Sequence, residues 1–227
     1  MPGLHIFGNA VGVLLLGAVM TTTEAQALDQ SWEFADRSYW ASVGDGRSVR
    51  QTITVGTTGT LTGFDVLYVS RWENVGEKPL VVELYDPNDP DGNEPDRIAF
   101  FTVQPTDIAP SGLNEPLTNL SFELNDPNWH VDAGETLYLS LGSDSPVDGG
   151  GPGGRGAGYL WVFDGSMSSL LYPGGRAEDT SPGGSWQPIG SDPWSFDFGF
   201  RTYVEPIPEP TSIALLGLAI LAIRCRR

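Results

Sequence analysis

Thr136-Leu137-Tyr138-Leu139-Ser140-Leu141 sets the rhythm of this chain. Its three leucines fall on one side of an extended backbone and Tyr138 and Ser140 on the other, because side chains in a strand alternate with period two. The same pattern recurs outward in both directions. Val49, Ile53 and Val55 oppose Arg50, Thr52 and Thr54; Leu80, Val82 and Leu84 oppose Glu83. Leu120, Phe122 and Leu124 oppose Ser121 and Glu123, and Phe196, Phe198 and Phe200 oppose Asp197 and Arg201. Three further runs, Phe64–Val69, Ile98–Val103 and Tyr159–Phe163, are apolar on both sides, which predicts central strands covered on both faces. Thr57-Thr58-Gly59 and Asp132-Ala133-Gly134 supply turns between such runs. No long stretch of the body has helical periodicity. The expectation is an all-β, two-sheet antiparallel sandwich of about eight to ten short strands.

Composition agrees. The 29 glycines and 18 prolines in 227 residues suit many turns and disfavour a helical bundle. The only cysteine is Cys225, so neither a disulfide nor a thiol nucleophile is available to the body. Lys and Arg number 12 against 29 Asp and Glu. Without Arg224, Arg226 and Arg227 at one end, and without Glu24 and Glu209, the body keeps 9 basic and 27 acidic residues, a formal charge of −18. Such a field repels nucleic-acid phosphate and anionic lipid.

The two ends read as addresses. Val11–Met20 is a short apolar run, and Ala25-Gln26-Ala27 follows as an A-x-A pattern. This is the layout of a signal peptide over residues 1–27, cleaved after Ala27 by the export machinery. No Lys or Arg precedes Val11. At the other end, Pro208-Glu209-Pro210 is followed by the apolar run Ile213–Ile223 and by Arg224, Arg226 and Arg227. As a helix, Thr211–Ile223 spans roughly 20 Å, short of the bilayer's hydrocarbon core of about 30 Å. The arginines resist translocation and stop the chain at the cytoplasmic side. On length alone a run this short is more often not a membrane span; local thinning and arginine snorkelling are what would cover the deficit, and a plain C-terminal membrane anchor is the alternative reading. The three parts in this order resemble the PEP-CTERM sorting tail of many Gram-negative bacteria, over residues 206–227. The resemblance implies transient anchoring in the inner membrane and cleavage near Pro208-Glu209-Pro210 by an exosortase-like enzyme. It further implies delivery to the cell surface or extracellular matrix of an exopolysaccharide-producing cell. Residues 28–205 are then the payload.

Within that body, Gln51-Thr52-Ile53-Thr54-Val55 and Thr58-Gly59-Thr60-Leu61-Thr62 resemble the opening of exported bacterial jelly-roll domains. Ala133–Tyr138 and Phe200–Val204 match the same style. This resemblance implies a jelly roll related in form to carbohydrate-binding folds.

Candidate chemistry is sparse. His130 is the body's only histidine, so one base alone is open to a Ser-His-Asp triad, and no Gly-x-Ser-x-Gly elbow accompanies it. One histidine with no body cysteine excludes an ordinary zinc site. Asp86, Asn88, Asp89 and Asp91 offer hard oxygen ligands for calcium, or form a solvated acidic loop. Trp186 and Trp194 stand in Gly/Pro-rich sequence that predicts a loop rim, where rings stack on sugars. Trp161 reads as core. The expected function is a non-catalytic exported surface or matrix protein. The alternatives are a module binding exopolysaccharide, with or without calcium, and a glycoside hydrolase or lyase built on paired carboxylates.

Overall fold

The computed structural model describes residues 26–34, 39–44, 47–72, 78–87, 96–110, 117–124, 129–143, 158–163, 172–180, 185–190 and 196–207. Thirteen strands run through them. They are β1 (Leu28–Trp32), β2 (Tyr39–Val43), β3 (Val49–Thr54), β4 (Gly59–Arg71), β5 (Leu80–Asp86), β6 (Asp96–Val103), β7 (Thr118–Glu123), β8 (His130–Val131), β9 (Thr136–Gly142), β10 (Tyr159–Phe163), β11 (Ala177–Thr180), β12 (Trp186–Pro188) and β13 (Phe200–Pro206). One 3-10 turn, Pro105–Asp107, interrupts them.

Two antiparallel sheets result. One has six strands in the order β12-β11-β3-β9-β5-β6; the other has seven, β1-β13-β4-β10-β2, with β7 and β8 also paired to β4. The apolar sides face one another and make a single core. Ile53, Leu84, Leu137 and Leu139 enter it from the first sheet, and Leu61, Phe64, Trp161 and Phe200 from the second. This is the sandwich that the alternation predicts: burying a Leu or Phe is worth about 1.5–3 kcal/mol, and only one side of each alternating strand can collect it. Trp161 is fully buried, stacked on Phe198 at 4.2 Å. Its Nε1 donates to the Leu67 carbonyl at 2.9 Å.

β4 and β10 are buried on both faces, as their sequences predict. Their outer sides meet a second small cluster of Leu67, Tyr68 and Val162, against which Phe34 and Leu117 pack. The third two-sided run, Ile98–Val103, departs from expectation. It lies in β6, the last strand of its sheet, and Phe100 is 49% exposed. Ile98, Ala99 and Val103 are buried, so the apolar content serves the core from an edge.

The strand count also exceeds expectation, because β8, β11 and β12 are two to four residues long and show no alternation. The turn Asp132-Ala133-Gly134 enters β9 as read, with Gly134 at φ 91°, a conformation that favours glycine.

The core contains one polar knot. Gln51 is fully buried among apolar neighbours. Its Nε2 donates to Asp197 Oδ1 at 2.9 Å, and its Oε1 accepts from the Phe198 amide at 2.9 Å. Asp197 Oδ2 accepts from the Tyr172 amide at 2.8 Å. The knot pins the segments before β11 and before β13 onto β3, satisfying groups that would otherwise be costly to bury.

No helix among the described residues is long and apolar enough to cross a membrane. The signal segment, Ala25 and the whole sorting tail from Pro208 lie outside the described residues. Ala27 lies inside them: its carbonyl accepts from the Val204 amide at 2.9 Å, so the sheet begins at the expected cleavage point.

Candidate functional site

The outer face of the six-stranded sheet gathers one chemically distinctive patch. Strand register builds it. Arg50 on β3 stands opposite Glu178 on β11 and Ser140 on β9, while Thr52 stands opposite Tyr138. Residues 50 and 138 are therefore diagonal neighbours on one face, close enough for long side chains to meet. Trp186 on β12 pairs with Thr180, one strand beyond.

Arg50 is the hub. Its guanidinium carbon lies 3.9 Å from the Tyr138 ring centroid and 4.1 Å from the Trp186 ring centroid. Its Nε and Nη2 both reach Glu178 Oε2 at 2.6 Å. The other oxygen of Glu178 accepts from Nε and Nη2 of Arg176 at 2.8 Å. The Glu178 side chain is 4% exposed and that of Arg50 15%, whereas Arg176 is 59% exposed. A buried carboxylate is thus clamped by two guanidinium groups, one of which also fixes two aromatic rings. Two cations around one anion leave this patch a surplus positive charge in a body of −18.

Gly175 makes the clamp reachable. A Cβ there would collide with the Thr52 carbonyl, so only glycine lets the segment press onto β3. Thr52 in turn bonds both polar groups of the Arg176 backbone, its amide donating to the Arg176 carbonyl at 2.9 Å and its Oγ1 accepting from the Arg176 amide at 2.7 Å. Chemically, the patch offers two half-buried ring surfaces held rigid and an exposed guanidinium with donors to spare.

Sequence reasoning placed Trp186 on a loop rim. It stands instead in a strand, half-buried, with Arg50 against its ring. Trp194 is outside the described residues. Arg50, Tyr138, Arg176 and Glu178 were missed. Arg50 and Glu178 are brought together only by strand pairing, and a charged residue in a strand carries no local sign that it is the centre of a buried pair.

The acidic candidates divide. Asp86 ends β5, whereas Asn88, Asp89 and Asp91 lie outside the described residues. Beside Asp86 stands Glu135, whose Oε2 accepts from the Asp132 amide at 2.8 Å. Burial pushes the Glu135 carboxyl up from 4.5, and the nearby Asp86 and Asp132 carboxylates push the same way against the Asp132 amide. Among the described residues, no three His, Cys, Asp or Glu side chains group as a metal site. His130 sits in β8 half exposed, its Nε2 3.5 Å from Asp132 Oδ1.

A second carboxylate network lies on the seven-stranded sheet. Asp65 Oδ2 accepts from the Tyr203 hydroxyl at 2.7 Å and from Arg201 Nη1 at 3.3 Å, and Arg201 Nε donates to Glu33 at 2.8 Å. The Arg201 hydrogen bond holds the Glu33 carboxyl below its usual range.

Fold and patch together define a β-sandwich presenting a rigid, ring-bearing polar surface. What carries that sandwich is given by its last residues: 206–227 match the PEP-CTERM protein-sorting motif. The chain is accordingly a PEP-CTERM sorting-domain protein, exported and processed at the membrane by an exosortase-like enzyme. Compared with curated proteins, the chain finds no match.

Proposed function

We propose that this is a non-catalytic protein of the Gram-negative cell surface or extracellular matrix. Its jelly-roll body holds exopolysaccharide on the Arg50 face. The observation that carries the reading is the pair of rings, Tyr138 and Trp186, held against one partly buried guanidinium. Sugar faces are apolar and flat, and stack on rings whose orientation is already fixed. Arg176 beside them supplies donors for hydroxyl or carboxylate oxygens. The local positive surplus suits a ligand that the rest of the acidic surface would repel.

A binder is favoured over a hydrolase by the state of Glu178. A carboxylate gripped on both oxygens by guanidinium groups has no free lone pair aimed at a substrate, so it serves poorly as an acid or base.

The test uses the processed protein recovered from the surface of producing cells, run in affinity gels cast with that organism's polysaccharide. Wild type is expected to be retarded, and Trp186→Ala to lose about tenfold in affinity, equal to about 1.4 kcal/mol. Equal retardation of both proteins, or none of either, would overturn the reading.

A further inference from the structure

β6 differs from the other outer strands of the sandwich. It is eight residues long, pairs on one side with β5, and has no other strand partner among the described residues. An open edge is a row of unpaired amides and carbonyls, and proteins blunt such rows with short strands, prolines, bulges or charge. The other edges here are blunted. β12 is three residues long and ends in Pro188. The pairing of β1 slips between Leu28 and Gln30, and that of β7 slips opposite Val66/Val69. β2 is five residues long. In β6 the one slip lies near its start, and the pairs from Leu84↔Ala99 to Leu80↔Val103 are regular.

The chemistry of β6 is adhesive as well as open. Phe100 is 49% exposed. Arg97, on the same strand, is already engaged, 3.3 Å from Glu83 and 4.9 Å from the Phe100 ring. Beside the strand lies a groove of about 240 Å³ whose walls include Ile98, Phe101, Leu124 and Trp129. Apolar surface from both sheets therefore meets solvent along this edge.

We propose that β6 is where two copies of this chain pair, antiparallel and edge to edge about Phe100, joining their six-stranded sheets into one. The sequence is self-complementary in that register. Phe100 lies opposite the other copy's Phe100, Ala99 opposite its Phe101, and Arg97 opposite its Val103. Aromatic cross-strand pairs stabilise such contacts, and no like charges meet. A parallel pairing would instead set the acidic run before β6, with Asp89, Asp91 and Glu94, against its own copy. Two bodies of charge −18 still repel at long range, so the pair strengthens as salt shortens the Debye length from about 30 Å at 0.01 M to about 8 Å at 0.15 M.

Sedimentation velocity on the processed, surface-released protein tests this at both ionic strengths. The expected result is a concentration-dependent dimer, tighter at the higher salt. Phe100→Lys raises its dissociation constant about tenfold or more, whereas Phe100→Tyr keeps it within about threefold. Thermal unfolding confirms that the variants fold; Thr102→Lys, exposed on the same strand, gives the same reading if Phe100→Lys does not. A protein that stays monomeric at about 100 μM in both salts, or a dimer that neither lysine weakens, overturns the proposal.

Discussion

Replacing Arg50 by leucine tests the patch at its hub. Leucine keeps apolar bulk against the two rings but removes both hydrogen bonds to Glu178. Breaking a buried pair by deleting one partner costs about 3–5 kcal/mol when the survivor is left alone. Glu178 keeps Arg176 on its other oxygen, which brings this contribution down to about 2–3 kcal/mol. Loss of the contacts with Tyr138 and Trp186 adds roughly 0.5–1 kcal/mol each. The total is about 3–5 kcal/mol, a large fraction of the stability of an ordinary domain. At roughly 2–4 °C per kcal/mol for a body of this size, Tm falls by about 6–20 °C. Arg50→Lys keeps the charge but not the planar group that meets both rings, so it falls about halfway. Thermal unfolding of the processed protein reads all of this. A double-mutant cycle with Glu178→Gln isolates the pair, with an expected coupling near 2 kcal/mol. A leucine variant within about 2 °C of wild type, or a coupling below roughly 0.5 kcal/mol, would show that Arg50 and Glu178 do not hold the patch together.

Gln51→Leu fits the core in size but leaves the Phe198 amide without its acceptor and takes a donor from the Asp197 carboxylate. Urea unfolding should show a loss of about 2–4 kcal/mol. Glu135→Gln should stabilise the protein at pH 7. A carboxyl whose folded pKa is raised above 4.5 contributes stability below that value and loses it as pH rises through the folded pKa, so wild type and variant converge in acid and diverge near neutrality. Parallel Tm–pH curves for the two proteins would contradict this. Replacing Pro208, Glu209 and Pro210 together by alanine should block trimming, so that immunoblots of membrane fractions show the untrimmed chain accumulating at the expense of surface-released protein.

How much of this was legible along the chain depends on how far each contact reaches. Leu137, Leu139 and Leu141 announce a buried face because alternation is local, and the buried pattern of β9 follows it. Tyr159–Phe163 announces a strand covered on both sides for the same reason. Ile98–Val103 has the same composition yet lies at an edge, because strand order depends on which segments pair and not on the residues of one segment. Ala177-Glu178-Asp179-Thr180 carries no apolar alternation. Glu178 is buried there only because Arg50, distant in sequence, arrives opposite it. Gln51 shares the side of Val49 and Ile53, but nothing local says how a buried amide there is satisfied, because its partner Asp197 lies near the far end of the body. Local periodicity revealed which residues seek the core, whereas the pairs that form the candidate site are long-range and polar.

The same long-range wiring ties the body to its address. β13 runs between β1 and β4, and its last residue, Pro206, pairs with Gly59 at the start of β4. The sorting motif begins at that residue. Three residues lie between Pro206 and Pro210, and extended chain covers at most about 3.6 Å per residue, so a cut near that motif would fall within roughly 15 Å of chain from the end of β13. The sorting enzyme must therefore work beside a folded sandwich, or before β13 has inserted between its neighbours. Since β13 holds both β1 and β4, the body cannot close its seven-stranded sheet until residues up to 206 are free to pair. With no cysteine in the body, no disulfide can hold an incomplete sandwich together during that interval. If the enzyme cuts near Pro208-Glu209-Pro210, as the resemblance of the tail implies, the end of β13 rather than the apolar run itself is the point where folding and sorting meet.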